Sequence, residues 1–574
     1  MYLQASRGLG MGAVRVEERL MCAMGFPGAA EIRFESCWTI PFGGVMLLLP
    51  FLLECGLMSY GNHYSQRLKG YYNFDNLFII IAFVYLCRIK SFEQLKLHSS
   101  GEFGKLVGYD RIPEVKKLRS MIGEITAQKC VDKWASELSQ NWISEDEPEL
   151  YYIDGHVQVY HGYLANLGKK HVSRQRLCLP GVMEYWVNAH DGSPYFYIAA
   201  SVNEKMIEML NEEIVPKLLE LHPVSEEHKK RMEENENEPL FTLVFDREAY
   251  SPAFFDLLWE KYRIAIITYR KNVKDDWDEA LFEECSVPTT MGNANMKLCE
   301  QNFQTPDGKH SMREVRKLCA DGHQTSIVAT NKILPAIVIA SYMFARWVQE
   351  NFFRYMRQEY ALDKILQYSV DVLNGELKVV NLAYSNIVYK IKKEREKLQR
   401  QKLKLYAHDQ KNPLEADEKE NEKWMKARTE MIEDVQLLEK QVEELVKKRK
   451  ETPCKIPIGQ MPESSRYNRL NHESKMLQNV IKMICYRAET ALANLIAPHY
   501  KRANQEIRAL IKSVINTPIN MEVDRENGEL KINLYSLANQ RSNEAVGKIC
   551  ETLNATNTIY PGTNLRLIYN IATN

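Results

Sequence analysis

The sequence has 574 residues, 45% of them hydrophobic and 26% charged, which predicts a globular protein with an ample core and more than one domain. Its 75 Lys and Arg are balanced by 75 Asp and Glu, which excludes an overall basic charge as the means of binding nucleic acid and leaves only local clusters of cations. The twelve cysteines are scattered without a C-x-x-C pair, a pattern that favours reduced thiols over zinc sites or disulfides.

Residues 1–145 are predicted to be helical. Two apolar runs, GGVMLLLPFLL and LFIIIAFVYLC, are shorter than the about twenty residues that a membrane span needs. We therefore expect two buried helices and no membrane partner. No signal peptide is expected, because charged residues come first and no apolar segment with a cleavage site follows promptly.

Two further helices are predicted before residue 145. The first, YDRIPEVKKLRSMIGEI, has Asp110 as its expected N-cap and Pro113 in its first turn. The second is AQKCVDKWASELSQNWI. This pair of helices with its lysines is either a DNA-binding bundle or a supporting layer, and the sequence leaves both alternatives open.

An α/β layer is predicted from about residue 147 to 272, where strands come first and then alternate with helices. A long helix, with a kink expected at Pro216, separates the first strands from the last two. This order predicts a mixed sheet with helices packed against it. The expected strands are LYYID, HVQVYHG, EYWVN, PYFYIAAS, FTLVFD and RIAIITYR, and the expected helices are NEKMIEMLNEEIVPKLLEL and PAFFDLLWEKY.

Residues 273–333 are predicted to be a β-rich insertion, with two strands joined by a turn at Asp321 and Gly322. A long helix from Leu334 to Lys364 follows, with Glu350 near its middle. Residues 385–452 are highly charged and contain a heptad seam, which fits either an intramolecular helical hairpin or a coiled-coil dimer; we favour the hairpin. The seam consists of Met431, Val435, Leu438, Val442 and Leu445.

Residues 453–574 are predicted to be helical with a small β region, which includes a hairpin at Asn527 and Gly528.

Three acidic residues in the preceding regions are candidates for a functional site. Asp154 and Asp246 follow apolar strands, and functional groups collect at the carboxyl ends of strands in open α/β sheets. Glu350 is on a helix that can pack beside that sheet.

Three converging carboxylates repel one another, and hard divalent cations such as Mg²⁺ relieve that repulsion. Two such ions can activate a water or hydroxyl and stabilise the leaving oxygen of a phosphodiester. The alternative for each acid is an ordinary structural role, since Asp246 can also cap the helix that starts near Pro252.

Three segments in this order resemble the catalytic blocks of bacterial insertion-sequence transposases of the cut-and-paste type, which have a DDE catalytic core. They are YYIDGHVQVYHG, LVFDREAYS followed by ITYRK, and ARWVQENFFRYMRQEYALD. The resemblance covers about residues 40–574. It implies an α/β fold with a ribonuclease-H-like mixed sheet flanked by helices over residues 146–384. It also implies that Asp154, Asp246 and Glu350 are the catalytic, metal-binding triad.

Many relatives carry a Y-x2-R-x3-E-x6-K signature around the glutamate. Arg346 and Glu350 fit this signature, Arg357 replaces the lysine, and Met343 replaces the tyrosine, with Tyr342 beside it. Together with Arg354, these arginines share one helical face, which is expected to bind DNA phosphates. The alternative is an intrahelical ion pair between Arg346 and Glu350 without a role in substrate binding.

Other candidates for DNA contact are basic residues near the predicted strand ends. Lys169, Lys170, Arg174 and Arg176 form one cluster, and its alternative is a solvated hairpin. His156 lies two residues after Asp154, where a packing role is favoured over a contact with metal or phosphate.

Arg270 and Lys271 follow Tyr269 at the end of another predicted strand, on the same predicted edge of the sheet as the two aspartates. All three residues are expected to approach DNA. Trp186 and Trp347 are expected to be core residues.

The resemblance implies a DNA transposase that cleaves double-stranded DNA at transposon ends and joins the 3′-OH to target DNA. It also implies two Mg²⁺ ions, for which Mn²⁺ can substitute, a homodimer in the synaptic complex, and a bacterial cytoplasmic location at the nucleoid. The alternatives are a nuclease or resolvase without strand transfer, an inactive DNA-binding remnant, or a coiled-coil scaffold.

Overall fold

The protein is a mixed α/β protein that divides into two compact units. The first comprises Met1–Tyr160, His171–Tyr368 and Asn471–Asn574, and the second comprises His161–Lys170 and Ser369–Leu470. The structure, a computed structural model, describes residues 12–26, 30–64, 70–162, 167, 169–172, 175–201, 204–289, 292–363, 370–372, 378–411, 418–460, 468–470, 472–500 and 504–572.

The N-terminal part of the first unit is largely helical, as predicted. Its elements are α1 (Val16–Ala23), β1 (Cys37–Ile40), α2 (Leu49–Glu54), α3 (Phe74–Leu86), α4 (Ser100–Lys105), α5 (Val115–Thr126) and α6 (Val131–Asp146).

The two apolar runs are buried, as expected, in a 3-10 turn that leads into α2 and in α3. No helix in the described part of the chain combines the length and apolarity needed to cross a membrane. The approach between the 3-10 turn and a later helix is so close that a Cβ on Gly44 would lie 1.8 Å from the carbonyl oxygen of Val514.

The predicted N-cap at Asp110 is wrong. Helix α5 begins at Val115, and Glu114 occupies its N-cap position. The Asp110 carboxylate is buried and accepts hydrogen bonds from the backbone N–H groups of Val14, at 2.9 Å, and Arg15, at 3.1 Å. The N-terminal segment therefore uses the oxygens that a local cap would need.

The central sheet of the first unit contains the strands predicted around the acidic residues. Its elements, with the intervening helices, are β2 (Leu150–Val159), β3 (Lys169–Val172), β4 (Leu177–Asn188), β5 (Pro194–Ser201), α7 (Met206–Met209), α8 (Val215–Leu221), α9 (Glu226–Glu234), β6 (Phe241–Phe245), α10 (Pro252–Tyr262), β7 (Ile264–Tyr269), β8 (Glu283–Thr289), β9 (Gly292–Gln304), β10 (Ser311–Leu318) and β11 (Gln324–Ala329).

The strand order is β3-β4-β2-β6-β7-β11-β10-β9-β8, and β5 also pairs with β4. Strands β2, β6 and β7 are parallel to one another, whereas β4 and β5 run antiparallel to their neighbours. The predicted insertion, with its turn at Asp321 and Gly322, continues the same sheet beyond β7 through antiparallel pairs.

Two predicted elements differ in detail from the observed ones. LYYID and HVQVYHG were predicted as separate strands but form one strand, β2, which pairs with β4 through Gly155. A Cβ at this position would lie 2.2 Å from the Cε atom of Met183, so the end of the Met183 side chain would have to move. The long helix predicted around Pro216 contains a π-helical turn, Leu210–Ile214, that joins α7 to α8 just before this proline.

The helix predicted from Leu334 to Lys364 is observed as two helices, α11 (Ala336–Ala345) and α12 (Trp347–Tyr360). They meet at Arg346, where two consecutive hydrogen bonds span only three residues. The Arg346 N–H donates to Met343 at 3.3 Å, and the Gln349 N–H donates to Arg346 at 3.0 Å. These tighter turns separate the helices and place Arg346 at the joint.

The second unit contains two long helices and short strand pairs. Its elements are β12 (Val370–Val372), β13 (Lys378–Val380), α13 (Leu382–Asp409), α14 (Glu418–Glu451), β14 (Lys455–Pro457) and β15 (Asn468–Leu470). Helices α13 and α14 lie antiparallel within one chain, because Lys402 pairs with Glu439 at 2.6 Å and Arg428 pairs with Asp409 at 2.8 Å.

The C-terminal part returns to the first unit with α15 (His472–Ile496), α16 (Asn504–Asn516), β16 (Ile519–Asp524), β17 (Glu529–Leu534), α17 (Gln540–Ala555) and β18 (Arg566–Ile571). The predicted hairpin at Asn527 and Gly528 is confirmed as the turn between β16 and β17. Strand β1 from the N-terminal part pairs with β16, so sequence-distant ends of the chain share one small sheet.

Candidate active site

The two predicted aspartates follow neighbouring parallel strands. Ile153 of β2 lies beside Phe245 of β6, so the next residues, Asp154 and Asp246, are adjacent across the sheet. Side chains alternate between the two faces of a strand. Both aspartates therefore share the face of Tyr152, which belongs to the apolar cluster under α11 rather than to the larger core on the opposite face.

Arg346 joins this pair of strand ends to the third acid. Its Nη1 atom lies 3.5 Å from Asp154 Oδ2, and its Nη2 atom lies 2.8 Å from Glu350 Oε1. Burial lowers the pKa of the Arg346 guanidinium, but the charges of Asp154, Asp246 and Glu350 outweigh this effect and raise it. The structure thus brings all three predicted acids around one cation.

The electrostatics of Asp154 reflect this crowding. Burial is the largest cause that raises the pKa of Asp154 to about 6, and the charges of Asp246 and Glu350 raise it further. Arg346 and a 2.8 Å hydrogen bond from the Gly155 N–H act in the opposite direction. One guanidinium among three carboxylates leaves an excess of negative charge when all three are ionised.

The alternative role of Asp246 as a helix cap is only partly realised. Its Oδ1 atom accepts a hydrogen bond from the Arg247 N–H at 2.7 Å and caps a single 3-10 turn, Arg247–Ala249. Helix α10 instead begins after Ser251. Asp246 therefore does not cap the long helix, and its position beside Asp154 is set by the strand pairing.

A cleft of about 300 Å³ opens beside Glu350. It is lined by His156, Trp347, Glu350, Asn351, Phe353, Arg354 and Arg357. The two arginines predicted to contact DNA thus line the same cleft as the third acid. Trp347, which was expected to be a core residue, is 44% exposed, so that prediction is wrong. The split of the helix at Arg346 places Trp347 first in α12.

His156 contacts a residue that the sequence did not single out. Its Nε2 atom lies 2.5 Å from Asp363 Oδ1, and its ring stacks on Phe353 with centroids 4.9 Å apart. This confirms a packing role for His156 at the wall of the cleft. The only sequence signal for Asp363 is its position at the end of the third quoted segment, too weak to identify a partner.

Two other residues predicted to bind DNA have partners within the protein. Arg270 pairs with Glu314 at 2.8 Å and lies over the Phe303 ring, so its guanidinium packs within the insertion. Lys271 donates a hydrogen bond to the Glu248 carbonyl at 3.3 Å. Their contact with DNA stays a prediction.

Lys169 and Lys170 lie in β3, and Arg176 lies in an exposed turn with a positive φ of 52°. Arg174 lies outside the described residues. The contact of these residues with DNA also stays a prediction.

Comparison with known proteins identifies the chain. A family model described as "Transposase protein" matches residues 10–573. The chain belongs to this transposase family. No curated protein and no solved structure matches it. A transposase acts on DNA.

Divalent metals suit the donor chemistry of the site. Carboxylate oxygens are the ligands that Mg²⁺ and Mn²⁺ prefer, and the excess negative charge favours a cation. Among the described residues, however, no group of three or more His, Cys, Asp or Glu side chains has a metal-binding arrangement as it stands. In this transposase the guanidinium of Arg346 bridges Asp154 and Glu350, and it supplies the positive charge there.

Proposed function

We propose that this transposase has a ribonuclease-H-like DDE core of the cut-and-paste type found in bacterial insertion sequences. The strand order β5-β4-β2-β6-β7, with only β2, β6 and β7 parallel, supports this proposal. The single observation that carries it is the convergence of Asp154, Asp246 and Glu350 around Arg346.

Asp154, Asp246 and Glu350 would hold Mg²⁺ or Mn²⁺ in this proposal. Two such ions, when bound, activate the attacking water or 3′-OH and stabilise the leaving oxygen of the phosphodiester. The parallel strands β2 and β6 hold two of the acids in fixed register, which keeps the cost of organising the site low during the reaction.

The chain itself would supply the groups that orient the DNA. Arg354 and Arg357 line the cleft next to Glu350, where their guanidinium groups suit bidentate contact with backbone phosphates. Arg346 would hold Asp154 and Glu350 in place and balance part of their charge. The cleavage product would keep its 3′-OH in the same cleft for transfer to target DNA.

Because transposition joins two ends of one element, we propose that the transposase acts as a homodimer on double-stranded DNA. The alternative, a nuclease without strand transfer, uses the same acids and differs only in the second reaction. Integration of a pre-cut 3′-OH donor end into a target plasmid separates them, since a nuclease alone yields no joined product.

The proposal is tested by cleavage of the element's own ends in Mg²⁺ with Asp246→Asn. We expect loss of cleavage with DNA binding retained, because the substitution removes a ligand but leaves the cleft arginines. Glu233→Gln, at an exposed position on α9, is the matched control and should cleave like wild type. Equal cleavage by Asp246→Asn and wild type would refute the proposed site.

A further inference from the structure

Helix α13 of the second unit carries an excess of positive charge. It contains eight Lys and Arg but only three Asp and Glu, whereas its partner helix α14 contains nine and ten. Five of the α13 cations recur at intervals of 3, 4, 3 and 4 residues, so they form one line along the helix. We call this line the basic stripe; it consists of Lys390, Lys393, Lys397, Arg400 and Lys404.

The basic stripe flanks the packed side of α13 and is exposed along its length. Ile387 and Ile391, which are buried, mark the side that is covered. All five cations of the stripe are exposed. At about 1.5 Å per residue, the stripe extends over about 21 Å, a length comparable to several successive phosphates of one DNA strand.

The stripe is also poor in acidic partners. Lys397 pairs with Glu394 at 2.7 Å, but the other four cations form no ion pair with any residue that the structure describes. Lys402, which lies off the stripe, is the cation of α13 that pairs with α14, through Glu439. The stripe therefore does not serve to hold the two helices together.

The basic surface continues at the end of α14. The Asn381 N–H donates to the Cys454 carbonyl at 2.9 Å, and its side chain donates to Pro453 at 3.0 Å, so the start of α13 lies beside the end of α14. The last turns of α14 contain four successive cations, Lys447, Lys448, Arg449 and Lys450. These add positive charge next to the Lys390 end of the stripe.

We propose that the basic stripe binds the phosphate backbone of duplex DNA without reading its sequence. The stripe presents repeated cations, which match a regular row of phosphates, whereas protein interfaces are depleted of lysine. This inference rests on the DNA-directed role of the transposase family and is independent of the proposed metal-binding acids.

The test uses the full chain with Lys393→Gln, Arg400→Gln and Lys404→Gln combined. Affinity for a duplex of random sequence is measured over a range of salt concentrations without divalent ions. We expect weaker binding and a log–log salt slope that is smaller by about 2.7, because each lost phosphate contact removes about 0.9 from the slope.

The matched control replaces three exposed cations of α14, Lys423, Lys426 and Lys440, by Gln. It changes the net charge equally, so an equal loss of affinity and slope in both variants would show a general charge effect and overturn the proposal. An unchanged slope in the α13 variant, as expected if the stripe binds an acidic protein instead, would also overturn it.

Two further variants separate this inference from misfolding and from the catalytic proposal. The double variant Lys393→Arg, Lys404→Arg keeps the charge and should keep the wild-type salt slope. Asp246→Asn should also bind the random duplex with the wild-type slope. If all variants fail to cleave DNA, the proposal that the stripe binds DNA is unaffected. If the α13 variant shows no change in its salt slope, only the stripe proposal is refuted.

Discussion

Two carboxylates on neighbouring strands of the central sheet have opposite surroundings. Glu184 of β4 is fully buried, yet it accepts hydrogen bonds from Lys475 at 2.6 Å, Gln158 at 2.6 Å, and Trp186 and Asn479 at 3.2 Å each. The donors come from both the sheet and α15. This carboxylate is saturated within the protein.

Asp154 of β2 has far fewer donors. Its side chain is 23% exposed, its partners are one backbone N–H and one arginine at 3.5 Å, and it shares that arginine with Glu350. Burial and two neighbouring acids raise the pKa of Asp154. The difference indicates that Glu184 serves the fold and that Asp154 has binding capacity left for a group outside the chain.

The largest expected effect is on DNA cleavage by Asp154→Asn. Loss of a proposed metal ligand should lower the cleavage rate by about 1,000-fold or more, since such ligands support several kcal/mol of transition-state stabilisation. The free energy of unfolding should stay equal or rise, because the substitution removes a buried charge next to two others. Cleavage assays and urea unfolding of the same preparation measure both quantities, and a loss of stability with full cleavage would reverse our assignment.

The corresponding test at Glu184 is the substitution Lys475→Met. It leaves a buried carboxylate without its cation and should lower the free energy of unfolding by about 3–5 kcal/mol. Chemical denaturation measures this change. In the double variant Lys475→Met, Glu184→Gln, part of the loss should be recovered, because no unpaired charge is then buried. A single variant as stable as wild type would show that Glu184 does not depend on Lys475.

A smaller effect is expected from Arg346→Gln, which removes the cation shared by the acids. Their repulsion should lower the free energy of unfolding by roughly 1–2 kcal/mol without divalent ions. Added Mg²⁺ should then stabilise this variant more than wild type, because a bound cation replaces the lost charge and stabilises only the folded state. Thermal unfolding with and without Mg²⁺ tests this, and Arg354→Gln, which removes an exposed arginine of the cleft wall, is the control. Equal Mg²⁺ effects in all three proteins would argue against metal binding by the acids.

The smallest expected effect concerns the opposite face of β2, where Tyr151 is hydrogen-bonded to His222 at 2.8 Å. Burial lowers the pKa of His222 to about 4 from its ordinary value of 6.5. The unfolded chain therefore binds a proton between these values while the folded chain does not, so stability falls as pH drops from about 6.5 to about 4.

Replacement of His222 by Gln removes that proton uptake. The slope of unfolding free energy against pH should become smaller by up to about 1.4 kcal/mol per pH unit in this window. Denaturant unfolding at several pH values measures the slope. An identical slope in wild type and His222→Gln would mean that this histidine titrates equally in the folded and unfolded chains.

Much of the architecture could be predicted from short segments of the sequence. FTLVF and RIAIITY are continuous apolar runs bounded by a helical segment, and both form buried parallel strands that end where the sequence changes character. The turn residues Asn527 and Gly528 predicted their hairpin for the same local reason. Asp110 shows the limit of this approach, because its oxygens bond to residues more than ninety positions earlier in the chain.

The candidate site, too, was only partly predictable from the sequence. That acids follow two strands is visible in the sequence, and strand periodicity determines the face on which each one lies. The break at Arg346 is not visible, since this segment has helical spacing throughout and only the packing of α11 under the sheet places the joint at Asp154. The saturation of Glu184 by Lys475 and Asn479 also depends on residues almost three hundred positions away.

By itself, the sequence determined most strands and helices and the two sharp turns, because each depends on interactions between residues within a few positions of one another. Only the tertiary structure decided which carboxylates meet, which are saturated and where Arg346 points. The physical reason is that charge and hydrogen-bond balance depend on distance in space, and the parallel pairing of β2 with β6 brings together residues that are far apart along the chain.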